Sequence, residues 1–273
     1  MPASRRNEPA PRKALGQHFL RDQDVLDKTV KALGGPYPQV VEVGPGTGEL
    51  TARLLAAGHT VLALEVDPRM LRHLAARFPG EPRLTVCEAD ARTVDIASVV
   101  DPALEYAVAG NLPYFAANPI VRHFLEAERQ PARMVVMVQR EVGREMAAPP
   151  GDYSLLSIAV QVYAEASVLF DVPPEAFDPP PAVVSSVIRL DLRKAPLVPP
   201  ERNEAFFELV SKTFRNPRKQ IHNALGRGVW LPPEGAQRAL EIAGIDPMRR
   251  PETLTIPEWL TLLDSCERVR LDG

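Results

Sequence analysis

The chain is poor in features that would place it outside the cell or in a membrane. Only two of its 273 residues are cysteine, Cys87 and Cys266, and they lie far apart. A disulfide framework is therefore not expected, and no Cys/His spacing matches a zinc site. Cys87 sits in an apolar strand pattern and is expected in the core. No apolar run approaches the roughly 20 residues that span a bilayer. The first residues, Met1–Lys13, are rich in Arg and Pro and lack the apolar stretch of a signal peptide. The expectation is a cytoplasmic protein with a basic N-terminal arm, no membrane partner and no metal. A net excess of positive charge is missing too: the formal charge is −3 and the pI near 6.0. That excludes a protein that coats nucleic acid along its whole surface.

The positive charge that is present is unevenly placed. Ser211–Trp230 holds Lys212, Arg215, Arg218, Lys219 and Arg227 and no acid. Met1–Arg21 holds Arg5, Arg6, Arg12, Lys13 and Arg21 against Glu8. Local basic patches on a mildly acidic body suit a phosphate backbone met at defined places, although solvated charged faces would read the same way.

Hydrophobic periodicity gives the architecture. Apolar spacing over Asp22–Leu33 predicts a helix with Asp22 as its cap. Strands are predicted at Val40–Val43, Thr60–Glu65, Arg83–Cys87, Tyr106–Ala109 and Met134–Val138. Helices are predicted between them at Glu49–Ala57, Pro68–Arg77, Ile96–Val100 and Pro119–Glu126, with a further one at Leu155–Tyr163. Strands alternating with helices imply a mostly parallel sheet covered on both faces. Val168–Val172 and Val183–Leu190 are β-rich and suit a closing hairpin at the sheet edge. After a linker at Lys194–Pro200, helices are predicted at Asn203–Phe214, Arg218–Leu225, Glu234–Ala243 and Pro257–Val269. The division is a basic arm over 1–21, an α/β domain over 22–194 and a small all-α domain over 195–273.

Four consecutive strand ends carry a glycine or polar device. Gly44-Pro45-Gly46-Thr47-Gly48 follows the first, Glu65 ends the second, Asp90 follows the third and Asn111 the fourth. The glycines allow a tight turn and close approach to a ligand, and Glu65 can accept both hydroxyls of a ribose. Ligands bind at this carboxyl edge in open α/β sheets. Any one carboxylate could be a helix cap; the ordered set points to a nucleoside. Asn111-Leu112-Pro113-Tyr114 adds an amide oxygen, a peptide carbonyl, a rigid turn and a flat ring. Such a set can hold a planar base by its exocyclic amine. A strand end followed by a proline turn would use similar residues, but the upstream devices favour the binding reading.

This arrangement resembles the class I (Rossmann-like) S-adenosylmethionine-dependent methyltransferases, whose ligand has no diphosphate to cradle and so suits a short glycine loop. Further segments narrow the likeness: Arg12–Leu20 (RKALGQHFL), Asn111–Tyr114, Val172–Ser186, Phe214–Leu225 (FRNPRKQIHNAL) and Arg250–Leu254 (RPETL). Together, over about residues 12 to 265, the chain resembles the KsgA-type ribosomal RNA adenine dimethyltransferases. The resemblance implies S-adenosyl-L-methionine as cofactor and transfer of two methyls to the 6-amino group of each of two adjacent adenosines. These lie in the 3′-terminal hairpin of small-subunit ribosomal RNA. It implies an immature small subunit as partner and a monomeric enzyme.

By the same likeness, Gln17, His18 and Leu20 meet the methionine end of the cofactor. Gly44 and Gly46 line the loop, Glu65 holds the ribose, Asp90 and Ala91 face the adenine, and Asn111 touches cofactor and target. Leu112, Pro113 and Tyr114 complete the target site, with Phe177 as a second stacking face. The basic run from Lys212 to Arg227 binds RNA. The chain departs from the family pattern at His18, where Asn is frequent, at Phe115-Ala116-Ala117, and at Tyr153-Ser154. Two other readings share these features: a large-subunit rRNA adenine methyltransferase, and a ribosome assembly factor for which methylation is secondary. A DNA adenine methyltransferase is disfavoured because no recognition insert is evident.

Overall fold

The computed structural model describes residues 8–12, 15–35 and 37–272. The chain folds as two compact units, one of residues 1–143 and 165–192, the other of 144–164 and 193–273. The segment 144–164 thus belongs with the helical C-terminal residues, an excursion that a linear division at 194 does not contain.

The first unit is built on a seven-stranded sheet. Its strands are β2 (Gln39–Val43), β3 (Thr60–Glu65), β4 (Leu84–Glu88), β5 (Tyr106–Asn111), β6 (Arg133–Gln139), β7 (Ala164–Val172) and β9 (Ser185–Leu192). Their order is β4-β3-β2-β5-β6-β9-β7. The five strands from β4 to β6 in this order run parallel to one another, and β9 is antiparallel to β6. The predicted edge hairpin is therefore present, with β9 inside and β7 outermost. A further pair has no signal in the sequence: β1 (Phe19–Leu20) joins β8 (Phe177–Asp178) in a separate two-stranded sheet.

Helices α1 (Gln23–Leu33), α2 (Glu49–Ala56), α3 (Pro68–Arg77), α4 (Ile96–Val99) and α5 (Ala117–Glu126) connect the strands. The Asp22 side chain accepts from Val25 N at 3.1 Å and starts α1, which buries Val25, Leu26, Thr29 and Leu33. α1 and α2 share one core cluster with Val40, Val61, Ala107 and Val135. The alternate residues Val41, Leu62, Val108 and Val136 are also buried, so the sheet is covered on both faces, as its near-continuous apolar strands require. Cys87 is only partly buried, contrary to expectation, because β4 is an edge strand.

Helix α6 (Arg140–Met146) carries the chain into the second unit. That unit contains α7 (Leu155–Gln161), α8 (Asn203–Phe214), α9 (Ile221–Gly228), α10 (Gly235–Ala243) and α11 (Ile256–Leu271) around the fully buried Trp259 and Phe206. α11 opens with a reciprocal capping box between Thr255 and Glu258. The RPETL segment has a structural task here: the Glu252 carbonyl accepts from Gly151 N at 2.9 Å and Tyr153 N at 3.3 Å, tying the excursion to the helices. The expected linker is packed as well, with Val198 buried and Leu197 N donating to Val162 O.

The basic helix does not begin at Arg218, as its sequence suggests: Arg215, Arg218 and Lys219 lie in the turn between α8 and α9. Among the described residues, no helix is long and apolar enough to cross a membrane.

The β2–β5 ladder is the tightest feature near the strand ends. A Cβ on Gly110 would lie 2.5 Å from the Val43 carbonyl oxygen, a distance the paired backbones cannot relax without parting. Gly110→Ala is therefore expected to destabilise the protein by about 2 kcal/mol or more, read as a lowered urea midpoint.

Candidate active site

The parallel registers align the strand ends. Val43 is opposite both Leu64 and Gly110, Glu65 is opposite Glu88, and Asn111 is opposite Met137. Gly44 N donates to Leu64 O and Ala89 N to Glu65 O, so the loops leave the edge at one level. A cavity of about 390 Å³ opens there, within the range of small-molecule sites. It is lined by Gln17, His18, Leu20, Gly44, Gly46, Glu65, Asp90, Ala91, Asn111, Leu112, Pro113 and Tyr114. These residues, each singled out in the sequence and drawn from separate stretches of chain, share one wall system.

Gly44 and Gly46 have φ of 66° and 55°, the left-handed region that glycine enters without strain. The loop they shape is held by Glu65. One Glu65 oxygen accepts from Val66 N and Asp67 N, both at 2.9 Å, and the other from Gly46 N at 3.3 Å. Burial pushes the Glu65 pKa up, while these backbone N–H groups oppose the rise. The carboxylate lines the cavity, where hydroxyl donors of a ligand could meet its remaining lone pairs.

Other expected acceptors are already engaged. Arg92 forks onto Asp90, with Nη2 2.5 Å from Oδ2 and Nε 3.0 Å from each oxygen. Arg92 holds the Asp90 carboxyl below its usual range. The Gln17 amide donates to Asp67 Oδ2 at 3.2 Å and accepts from Arg12 N at 2.8 Å. Asp67, which caps α3 and pairs with Arg69 at 2.6 Å, is lowered to about 2, chiefly by the Arg69 side chain. Arg21 turns inward to Glu8 at 2.5 Å and Glu49 at 3.6 Å and donates to Thr47 Oγ1, so it ties the N-terminal segment to the glycine loop instead of facing phosphate. Arg5, Arg6 and Lys13 lie outside the described residues.

The tetrapeptide is fixed from several sides. Asn111 Nδ2 donates to the His18 carbonyl at 2.9 Å, which fixes the orientation of the amide and leaves Oδ1 with no protein donor among the described residues. Leu112 N donates to Met137 O, and Ala116 N closes the turn on Pro113 O. No described backbone N–H donates to the Leu112 carbonyl. The Tyr114 hydroxyl meets Ser185 Oγ at 2.7 Å, and its ring stacks with His18 at 6.0 Å and 23°. His18 Nδ1 lies 2.8 Å from Pro179 O; since a carbonyl only accepts, Nδ1 carries a proton. Phe177 is a correction: pairing of β8 with β1 turns its ring into the core with Leu20, Val25 and Val187, and it does not line the cavity.

In the second unit Arg215, Arg218, Lys219 and Arg227 are exposed, and Lys212 pairs with Glu208 one helical turn away. Among the described residues, no cluster of His, Cys, Asp and Glu could hold a metal.

Glu42 is the residue that sequence reasoning passed over. It lines the cavity, is 1% exposed and accepts from Thr51 Oγ1 at 2.6 Å. The available signal was a lone acid in the apolar strand Val-Val-Glu-Val, two residues before the glycine loop.

A glycine loop, a buried carboxylate on the next strand and an open amide acceptor beside a ring, all at one sheet edge, define a class I S-adenosylmethionine-dependent methyltransferase. The residues fit this cofactor: the cavity offers an acceptor for ribose hydroxyls at Glu65, next to a glycine loop that lets a ligand approach the backbone. Residues 10–267 match the family model for ribosomal RNA adenine dimethylase, and the chain belongs to that family. It is 41% identical to the ribosomal RNA small subunit methyltransferase A of Pelotomaculum thermopropionicum, over 96% of this chain and 93% of the relative. It is 38% identical to the protein of that name from Dehalococcoides mccartyi strain 195, over 92% and 87%. Among solved structures, the 23S rRNA methyltransferase ErmE superposes with a TM-score of 0.70 at 28% identity, over 91% of this chain and 99% of that one. A dimethyladenosine transferase from Plasmodium falciparum shares the fold with a TM-score of 0.78 at 24% identity, over 92% and 98%.

Burial pushes the Glu42 carboxyl up to about 7, against the lowering effect of the Thr51 hydroxyl. A carboxyl raised in the folded state stabilises fully below its ordinary pKa of 4.5, and that contribution is lost as pH rises through about 7. Glu42→Gln is therefore expected to gain stability over wild type between about pH 5 and 8, the gap reaching on the order of 2 kcal/mol at the alkaline end. Urea unfolding of both proteins across that range checks it; parallel pH curves would refute the assignment.

Proposed function

We propose that this methyltransferase dimethylates the 6-amino groups of two adjacent adenosines in the 3′-terminal hairpin of small-subunit ribosomal RNA. It acts as a cytoplasmic monomer on the immature small subunit. The observation that carries the reading is the Asn111 amide, anchored through its nitrogen on His18 O with its oxygen left open beside the Leu112 carbonyl. The relatives at 38% and 41% identity, named for the small subunit, support that substrate over the large-subunit one suggested by the 28% likeness.

An adenine amine is a poor nucleophile because its lone pair is delocalised into the ring. Asn111 Oδ1 and the Leu112 carbonyl accept its two hydrogens and favour a pyramidal nitrogen whose lone pair is free. Bound S-adenosylmethionine supplies an electrophilic sulfonium methyl. Glu65 accepts from the ribose hydroxyls, and Gly44 and Gly46 admit the ligand close to the backbone. Asp90 and Ala91 face the adenine, for which the Arg92 fork shares or releases the carboxylate. Gln17, His18 and Leu20 border the methionine end. Pro113 holds the turn rigid, and Tyr114 stacks on the extruded target base. No strong base is required, because the nitrogen loses its proton to water once it is cationic. Catalysis is thus mostly positioning and electrostatics. After the first methylation one N–H remains, so one of the two acceptors goes unused.

Asn111→Ala is expected to lose at least about 10²-fold in kcat while binding S-adenosylmethionine within a few-fold of wild type. Methyl incorporation into immature small subunits and calorimetry measure the two; wild-type turnover in the variant would sink the mechanism.

The exposed cations between α8 and α9 suit phosphates. For flexible RNA each phosphate contact adds about 0.7 to the slope of log affinity against log salt. Replacing Arg215, Arg218 and Lys219 together by Ala is expected to lower that slope by about 2, with the catalytic rate at saturating substrate retained. An unchanged slope places the RNA elsewhere.

A further inference from the structure

Among the described residues, the exposed large apolar side chains include only two aromatics, and Phe115 is the one in the methyltransferase unit. It is 61% exposed, although it follows Tyr114 directly and lines the same cavity. The position is fixed. Ala116 N donates to Pro113 O at 2.9 Å, so the turn Pro113–Ala116 holds Phe115 at the start of α5. The ring sits against Gly16, whose φ is +59°; a Cβ there would meet Phe115 Cδ1 at 3.6 Å, ordinary van der Waals distance. Gly16 thus supports the ring from one side and leaves the rest in solvent. A solvent-facing phenyl, carried on a hydrogen-bonded turn at the mouth of a nucleobase site, has the form of a stacking platform.

We propose that Phe115 binds the base of the nucleotide adjacent to the target. In the pair of adjacent adenosines assigned above, on which this inference rests, that neighbour is the other adenosine. While Tyr114 stacks on the base inside the cavity, Phe115 stacks on the base left at its mouth. Tyr114 and Phe115 are consecutive in the chain, as the two bases are in the RNA. The platform contributes to holding RNA and selects a purine neighbour, which offers the larger surface for stacking. It makes no demand on the cofactor.

The test uses full-length protein and immature small subunits, with KM for the particle measured separately from the affinity for S-adenosylmethionine. A single base–aromatic stack corresponds to roughly 5- to 150-fold in affinity. Phe115→Ala is expected to raise the particle KM at least about fivefold, with cofactor affinity unchanged. Phe115→Trp restores KM, and Phe115→Leu, apolar but not aromatic, does not. Particles carrying uridine in place of one adenosine of the pair should raise the wild-type KM for the other, and raise that of Phe115→Ala by less. A particle KM for Phe115→Ala within about twofold of wild type overturns the platform, as does rescue by Leu equal to that by Trp. Failure of wild type to methylate either adenosine would overturn the proposed function and this inference together, whereas normal wild-type methylation with a silent Phe115→Ala overturns this inference alone.

Discussion

The parallel pairing of β2 with β5 is the constraint on which the site depends. At Val43 and Gly110 the two backbones approach so closely that no side chain fits between them. That approach sets the glycine loop leaving β2 beside the tetrapeptide leaving β5. A modest separation of the strands would carry Gly44 away from Asn111, and two ligands meant to react would no longer share one cavity. The register also fixes Glu65 one strand away on the other side of β2, since Leu64 is opposite Val43.

Charge at this edge is managed by partners already in place. Asp67, Asp90 and Glu49 are each gripped by arginines, and Glu65 by three backbone N–H groups. Glu42 is buried with one hydroxyl and stays partly protonated near neutrality. A pocket meant for a sulfonium and a neutral base therefore presents little unshielded negative charge, although four acids line it. At the tetrapeptide, where the methyl is transferred, the open acceptors are neutral ones, Asn111 Oδ1 and the Leu112 carbonyl. That division suits methyl transfer, which must approach a cation to a weak nucleophile without trapping the cation in an ion pair.

Much of this is legible in the residues, for identifiable reasons. Helix α3 runs from Pro68 to Arg77, the range its apolar spacing predicts, and the structure adds Asp67 as its cap. The four strand ends are readable because their polar residues interrupt apolar runs. Other features depend on pairing between distant segments. The two-residue strands Phe19–Leu20 and Phe177–Asp178 carry no periodicity, yet their pairing decides that Phe177 is core. The start of α9 is displaced to Ile221 because Lys219 N closes a turn on Asn216 O and Ile221 N is held by the distant Arg249 carbonyl, leaving Arg218 and Lys219 outside the helix. Asp90 reads in sequence as a free acceptor, but Arg92, two residues on, reaches it. The Glu42 environment comes from Thr51 on the facing helix, which no local pattern indicates.

The bonds from Gly151 and Tyr153 to the Glu252 carbonyl have a consequence in time. Their partners are separated by roughly one hundred residues of chain, which a ribosome adds in about 5 to 20 s. Within that interval all the strands of the first unit's sheet are made, and Val162 and Tyr163 gain partners at Leu197 and Asn203, but the Gly151 and Tyr153 N–H groups still lack their acceptor. The tie that these two bonds make is therefore closed only when the RPETL segment has emerged, about sixty residues after the last strand of the sheet, roughly 3 to 12 s of synthesis.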